Sequence, residues 1–118
     1  MLLVSNNQIK ALEEKRTEAF VQEMVVHFKK MKPKLLPQGE NKLVAFIRQK
    51  IEESKQWKLQ TERDVEKYIY LSLHYPVLNK KPFAKYIIAI LTVPEYTGTE
   101  RIDALHIELV KKGMFKNN

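Results

Sequence analysis

The chain of 118 residues contains no cysteine. A disulfide framework and a thiolate metal site are therefore excluded, and the sequence is compatible with a reducing compartment. Its three glycines, Gly39, Gly98 and Gly113, are isolated, so the chain has neither a phosphate-cradling loop nor a dinucleotide-binding fingerprint. The start is apolar only from Met1 to Val4, which predicts that no secretory signal peptide is present.

Long apolar runs are also absent. The longest uninterrupted run extends from Tyr86 to Leu91 and is far shorter than the roughly 20 residues of a membrane-spanning helix. Hydrophobic residues still make up 44% of the chain, which is enough for a core without disulfides or metal at this length. We therefore expect one domain, residues 1–118, in the cytoplasm.

Apolar residues recur mostly at helical spacing between proline and glycine punctuation. This pattern predicts an all-α fold, a single-domain irregular bundle of about five helices. The predicted helices cover about 6–31, 40–56, 61 to the residues before Pro76, 82–92 and 99–112.

Polar residues suited to helix ends stand at several of these boundaries. Ser5 and Thr61 are predicted to cap the first and third helices through their hydroxyl groups. Thr97 and Glu100 have the spacing of a capping box before the last helix. Gly113 is predicted to follow the end of that helix at the C′ position.

The fourth segment is apolar on nearly all sides after Lys85. A helix that is apolar all round is typical of a buried position, so this segment is the predicted central helix. A short buried strand from Tyr86 to Leu91 is the alternative, although no partner strand is visible in the sequence.

Residues that would carry catalysis are few. The carboxylate pairs, Glu52 with Glu53 and Glu62 with Asp64, are interpreted as surface charge and helix capping rather than as a glycosidase pair. No serine lies in a G-x-S-x-G elbow. Three histidines lack the i, i+4 spacing of a helical metal site: His27, His74 and His106. The sequence therefore predicts a protein that is not an enzyme and binds no cofactor or metal.

The chain is basic, with a formal net charge of +7. Four lysines form a patch at the end of the first helix: Lys29, Lys30, Lys32 and Lys34. Such a patch attracts nucleic acid, an anionic membrane or an acidic protein surface, although the helix dipole alone also favours lysines there. Nucleic-acid binding would add Lys42, Arg48 and Lys50, but no helix-turn-helix signature accompanies them.

Three aromatic residues lie at predicted helix ends or in loops: Trp57, Tyr75 and Phe115. Aromatic residues in such positions serve either as interface anchors or as lids over the core. Both interpretations stay open at this point.

A motif stands at the centre of the sequence. Thr61-Glu62-Arg63-Asp64 precedes Tyr68-Ile69 and Leu71, and the stretch from Ile47 to Glu52 comes before it. With Ile90-Leu91 between two prolines further on, residues 43–109 resemble a family of small helical proteins encoded in bacterial type VI secretion clusters, beside genes for the spike protein and its adaptor chaperone. The family pattern has a glycine turn before T-E-R-D, where this chain has Trp57 and Lys58. Its glycine and aspartates after the third helix are replaced here by a basic loop, and its tryptophan before I-L is absent.

The resemblance implies a protein partner, namely an adaptor chaperone, an effector or a spike component, and it implies no reaction. We expect an accessory factor that assists an adaptor chaperone in loading or stabilising an effector on the spike. In that interpretation Thr61 caps its helix and Arg63 bridges to a neighbouring helix. The predicted partner-binding residues, besides the four-lysine patch, are Trp57, Arg63, Tyr68, Tyr75, Lys80 and Lys81.

Two other functions remain alternatives. An immunity protein that neutralises a neighbouring toxin would use the same basic character, since a basic binder suits an acidic toxin site. A basic nucleic-acid-binding helical domain is the other alternative.

Overall fold

A computed structural model describes residues 6–116 of the chain and the side chains of residues 14–113. Within that part it contains five α-helices and no strand, which confirms the predicted all-α bundle. The elements are α1 (Asn6–Met31), α2 (Glu40–Gln56), α3 (Glu62–Ser72), a 3-10 turn (Pro76–Asn79), α4 (Lys85–Leu91) and α5 (Gly98–Lys116). The predicted cap Ser5 and the side chain of Phe115 lie outside the described residues.

The first apolar cluster lies between α1, α2 and one side of α3. Its buried members are Phe20, Val21, Met24, Val25, Phe28, Leu43, Ile47, Ile51, Ile69 and Leu73. In α1 these residues follow the spacing of one helical face, which explains why α1 packs along α2.

The second apolar cluster joins α3 to α4 and α5. Two residues of the α2–α3 loop close it, and its buried members are Trp57, Leu59, Tyr68, Leu71, Leu78, Ile87, Leu91, Ile102, Leu105 and Leu109. Because α3 supplies residues to both clusters, it is the central helix of the bundle.

The prediction that α4 is the central helix is therefore wrong. This short helix packs mainly on α5, and the side chain of Ile88 on its outer side is 40% exposed. Apolar composition misplaced α4 because several of its side chains cover the second cluster from outside rather than lie within it. The alternative of a strand at residues 86–91 is also wrong, since these residues are helical.

The predicted caps of α3 and α5 are confirmed. Thr61 Oγ1 accepts a hydrogen bond from the Asp64 amide at 3.2 Å. Thr97 and Glu100 form the reciprocal pair of a capping box, with distances of 3.0 and 3.1 Å. These bonds satisfy amide groups that have no partner within a helix.

Two predicted helix boundaries are wrong. α4 begins at Lys85 rather than at Pro82, and α5 continues through Gly113 to Lys116. A glycine inside a helix costs only about 1 kcal/mol, so tertiary contacts readily override its tendency to end the helix. Here Gly113 lies against the ring of Tyr75, where an added Cβ would stand 3.5 Å from Cε1.

Candidate partner-binding groove

An open groove of about 490 Å³ lies between α5 and the segment that follows α3. Residues that are distant in the sequence line it: Lys34 after α1, His74 to Val77 and Lys80 around the 3-10 turn, Tyr86 in α4, and Leu109, Lys112 and Gly113 in α5. We call this site the Tyr75 groove.

The lining of the Tyr75 groove combines apolar surface with positive charge. Lys34, Lys80 and Lys112 contribute ammonium groups, and no carboxylate is among the lining residues. Lys112 Nζ lies 4.2 Å from the centre of the Tyr86 ring, within the range of a cation–π interaction. The carboxylate of Glu108, one turn earlier in α5, lies 3.8 Å from the same ammonium. The groove is therefore a positively charged site whose lysine in α5 is held against an aromatic ring.

Two lining residues, Tyr86 and His74, have polar atoms in partly buried surroundings. Burial raises the pKa of the Tyr86 hydroxyl, and the charge of Glu108 raises it further, so this hydroxyl stays protonated at neutral pH. Nε2 of His74 is buried and has no hydrogen-bond partner within the described part of the chain. The His74 ring packs on Tyr70 with a centroid distance of 4.4 Å, which fixes that wall of the groove.

Hydrogen bonds to α2 and α3 fix the 3-10 turn that forms one wall of the groove. Leu78 is fully buried, and its carbonyl oxygen accepts a hydrogen bond of 2.9 Å from Lys50 Nζ. Asn79 Nδ2 donates to the Ser72 carbonyl at 2.8 Å. The turn is thus tied to α2 and to α3, so the side chains of Tyr75 and Lys80 project from a fixed support.

A buried charged network lies behind this wall. Lys50 is 1% exposed and Glu53 is 3% exposed, and their side chains pair at 3.0 Å. Glu53 also accepts a hydrogen bond of 2.8 Å from the Tyr68 hydroxyl and lies 3.2 Å from Lys81 Nζ. The interpretation of Glu53 as surface charge is therefore wrong, because its side of α2 faces α3 and the 3-10 turn. Lys50 is likewise enclosed and cannot serve as the phosphate contact that a nucleic-acid interface would need.

The network shifts the pKa values of both charged partners. Burial lowers the pKa of the Lys50 ammonium, and the hydrogen bond and charge of Glu53 oppose this effect. Burial by itself would raise the pKa of the Glu53 carboxyl, but Lys50, Tyr68 and Lys81 outweigh it and leave the pKa below its ordinary value. Glu53 is therefore a carboxylate at neutral pH, held by two cations and a hydroxyl group.

The structure places the six predicted partner-binding residues in different settings. Tyr75 and Lys80 line the groove. Trp57 and Tyr68 are buried, and Trp57 Nε1 donates to the Tyr68 hydroxyl at 3.3 Å. The prediction that these two residues contact a partner is therefore wrong, since their aromatic rings are buried in the second cluster.

Arg63 and Lys81 are exposed but already have partners within the chain. Arg63 contacts Asp64 at 3.1 Å and reaches Asp103 of α5 at 3.7 Å, in agreement with the expected bridge to a neighbouring helix. Lys81 pairs with Glu53. Both side chains therefore form ion pairs within the fold.

The patch of Lys29, Lys30, Lys32 and Lys34 is exposed, as predicted. Lys29 pairs with Glu40 at 2.7 Å, which cancels part of the charge. A second cavity of about 610 Å³ is lined by three of these lysines, and Glu40 is also in its lining. Lys34 lines this cavity as well as the Tyr75 groove, so the basic surface is continuous from the end of α1 to the groove.

Sequence reasoning missed the contributions of α4 and α5 to the groove. Tyr86, Leu109 and Lys112 stand in helices whose periodicity indicates core packing or helix-end charge. No local signal marks them as neighbours of Tyr75, because the packing of α5 against α3 and of α4 on α5 brings them there.

Within residues 14–113, no group of three or more His, Asp or Glu side chains is arranged to hold a metal ion. No α-helix of the described chain is both long enough and apolar enough to cross a membrane. Comparison of the sequence and the fold with protein-family models, curated proteins and solved structures gives no match.

Proposed function

We propose that this protein is a non-enzymatic accessory factor of type VI secretion that binds an adaptor chaperone, an effector or a spike component through the Tyr75 groove. The observation that carries the binding site is the convergence of Lys34, Lys80 and Lys112 with two tyrosines around one open groove. Aromatic side chains beside cations are typical of residues that dominate protein interfaces. Acidic partner surfaces would be attracted by the charge and seated by the aromatic rings.

The local geometry of the T-E-R-D motif agrees with the likeness in sequence on which the secretion assignment is based, because the motif has a structural role in the fold. Asp64 is 2% exposed and accepts a hydrogen bond of 2.7 Å from Thr99 at the start of α5. The motif therefore joins α3 to α5, which gives a structural reason for these particular residues at the start of α3. Lys58 adopts a positive φ of 59°, a conformation that glycine adopts without cost, at the place where the family pattern has its glycine turn.

The experiment is an affinity capture from bacteria that carry the native gene cluster, with Lys112→Glu as the groove variant. Lys111→Glu is the matched control, because Lys111 carries the same charge on the same helix but is not among the lining residues. We expect the wild type and the control to retain a type VI adaptor, effector or spike protein, and the groove variant to retain about tenfold less. Recovery of no such protein by the wild type would refute the proposal.

Coexpression with the adjacent toxin separates this function from immunity. A loading factor should leave growth inhibition unchanged, whereas an immunity protein must restore growth. A mobility-shift series from low to high salt tests nucleic-acid binding, because phosphate contacts weaken steeply with salt. Restored growth or a strong shift at low salt would each replace the proposed function.

A further inference from the structure

The Tyr75 groove has the size of a site for a short chain segment. Its volume of about 490 Å³ lies in the range of pockets that bind compact ligands, yet it is open to solvent. A folded surface would touch mainly the rim of such a groove, whereas a few consecutive side chains of an extended segment can enter it.

The charges of the groove define one half of the ligand chemistry. Lys34, Lys80 and Lys112 come from three separate parts of the chain, namely the segment after α1, the residue after the 3-10 turn, and α5, so positive charge reaches the groove from different parts of the fold. Ammonium groups act as point charges and bind anionic groups in many orientations, whereas the planar guanidinium of arginine favours bidentate pairing with a carboxylate or a phosphate. No arginine is among the lining residues.

The apolar lining defines the other half. Pro76 and Val77 present aliphatic surface between the lysines, and the rings of Tyr75 and Tyr86 extend it, while Leu109 in the lining is only 1% exposed. A ligand made of acidic groups alone would leave this surface in water, while an apolar side chain would cover it and gain roughly 25 cal/mol for each Å² buried. The complementary segment therefore carries an apolar residue flanked by acids.

From these features we infer that the Tyr75 groove binds an extended acidic segment of a partner protein, with one aliphatic or aromatic side chain seated against Tyr75, Pro76 and Val77 and flanking carboxylates on the surrounding lysines. This inference rests on the proposed function in one respect, namely that the groove is a protein-binding site. It adds the chemical class of the segment that is bound.

Fluorescence polarisation with the full chain tests the inference. The first probe is a fluorescein-labelled octapeptide with Leu-Tyr between two blocks of three Asp or Glu residues. A second peptide replaces Leu-Tyr by Gly-Gly, and a third keeps Leu-Tyr but replaces every acid by its amide. We expect the first peptide to bind about tenfold more tightly than either of the others, since each lacks one half of the complementary chemistry.

Variants locate the binding. Lys112→Glu and Lys80→Glu are each expected to weaken the first peptide about tenfold, and Lys111→Glu to change its affinity by less than about twofold. Far-UV circular dichroism shows which variants fold, and either groove variant is sufficient if the other does not. Equal binding of the glycine peptide, equal loss in the control variant, or no binding of the first peptide would overturn the inference.

A single-stranded 20-nucleotide DNA probe and the capture experiment complete the design. DNA that binds as tightly as the first peptide, with the same sensitivity to Lys112→Glu, would overturn the inference in favour of a nucleic-acid groove. Peptide binding without capture of a type VI protein refutes the secretion assignment alone. Groove-dependent capture without peptide binding refutes the acidic segment alone.

Discussion

Replacement of Glu53 by glutamine removes one charge from the buried network and keeps the size of the side chain. Lys50 then remains 1% exposed without a carboxylate within the network. Loss of one partner from a buried ion pair costs about 3–5 kcal/mol, because the other charge stays desolvated and unpaired. A domain of this size is stable by about 5–15 kcal/mol, so the variant should still fold at 25 °C but lose a large share of its stability.

Urea unfolding measures this loss. Trp57 is the single tryptophan of the chain, and its indole lies 3.3 Å from the hydroxyl of Tyr68, which in turn contacts Glu53. Its fluorescence therefore reports the unfolding of the region that contains the network, and far-UV circular dichroism reports the helices. Agreement between the two transitions would justify a two-state free energy for each variant.

The double variant Lys50→Met with Glu53→Gln distinguishes an unpaired charge from a simple packing defect. With both charges gone no ion is left buried, so the double variant should be more stable than Glu53→Gln by about 1–3 kcal/mol. The single variant Lys50→Met should cost less than Glu53→Gln, because Glu53 keeps Lys81 and Tyr68 as partners. A loss below about 1 kcal/mol for Glu53→Gln, or a double variant less stable than both singles, would refute the reasoning.

Three further predictions concern the stability of the bundle. Gly98→Ala should lower the free energy of unfolding by about 1–3 kcal/mol, because the added Cβ would stand 2.7 Å from the Lys58 carbonyl oxygen. Gly113→Ala should raise the free energy of unfolding by about 0.5–1 kcal/mol, because alanine favours a helix more than glycine does. Midpoints of urea unfolding compare the two variants. Thr61→Ala should lower the stability of the fold by about 1 kcal/mol through loss of the α3 cap, which is measured as a lower melting temperature. Thr61→Ser keeps the hydroxyl group and should therefore retain most of the wild-type stability. The folded-state pKa of Glu53 lies below its ordinary value, so unfolding takes up a proton in acid. The stability that Glu53 provides above its unfolded pKa should be lost as the pH falls through the folded pKa, and Glu53→Gln should flatten this dependence of the unfolding free energy on pH.

Each of these predictions has a result that would contradict it. Equal effects of the two glycine substitutions would show that the approach of Gly98 to the Lys58 backbone does not constrain the fold. A serine variant as unstable as alanine at position 61 would mean that the hydroxyl bond does not stabilise α3. An unchanged acid slope in the glutamine variant would assign acid sensitivity to other carboxylates.

The sequence predicted the helices well because their signals are local. The bounds of α2 follow from its apolar periodicity, and the caps at Thr61 and Thr97 follow from short-range side-chain chemistry. Gly113 shows the limit of such signals, since the contact with Tyr75 that accompanies the continued helix comes from a distant part of the chain.

Sequence patterns identified the candidate site only in part. Tyr75 is predicted because it is an aromatic residue outside the apolar stripes, and Lys80 because it stands in the basic loop after the third helix. The pattern that marks Tyr75 also marks Trp57, which is buried. Polar residues on a helix are ordinarily assigned to its solvent face, and this rule misplaced Glu53, because a buried pair needs partners from other elements. Burial of charge depends on tertiary structure, and a single sequence carries no record of it.

The position of α3 between the two apolar clusters limits how this helix can vary. Asp64, Tyr68, Ile69, Leu71 and Ser72 are all buried, so almost half of its eleven residues face other parts of the fold. A substitution that suits one half of the molecule must also be tolerated by the other half. Sequence likeness concentrated in α3 would therefore reflect a shared architecture before it reflects a shared partner.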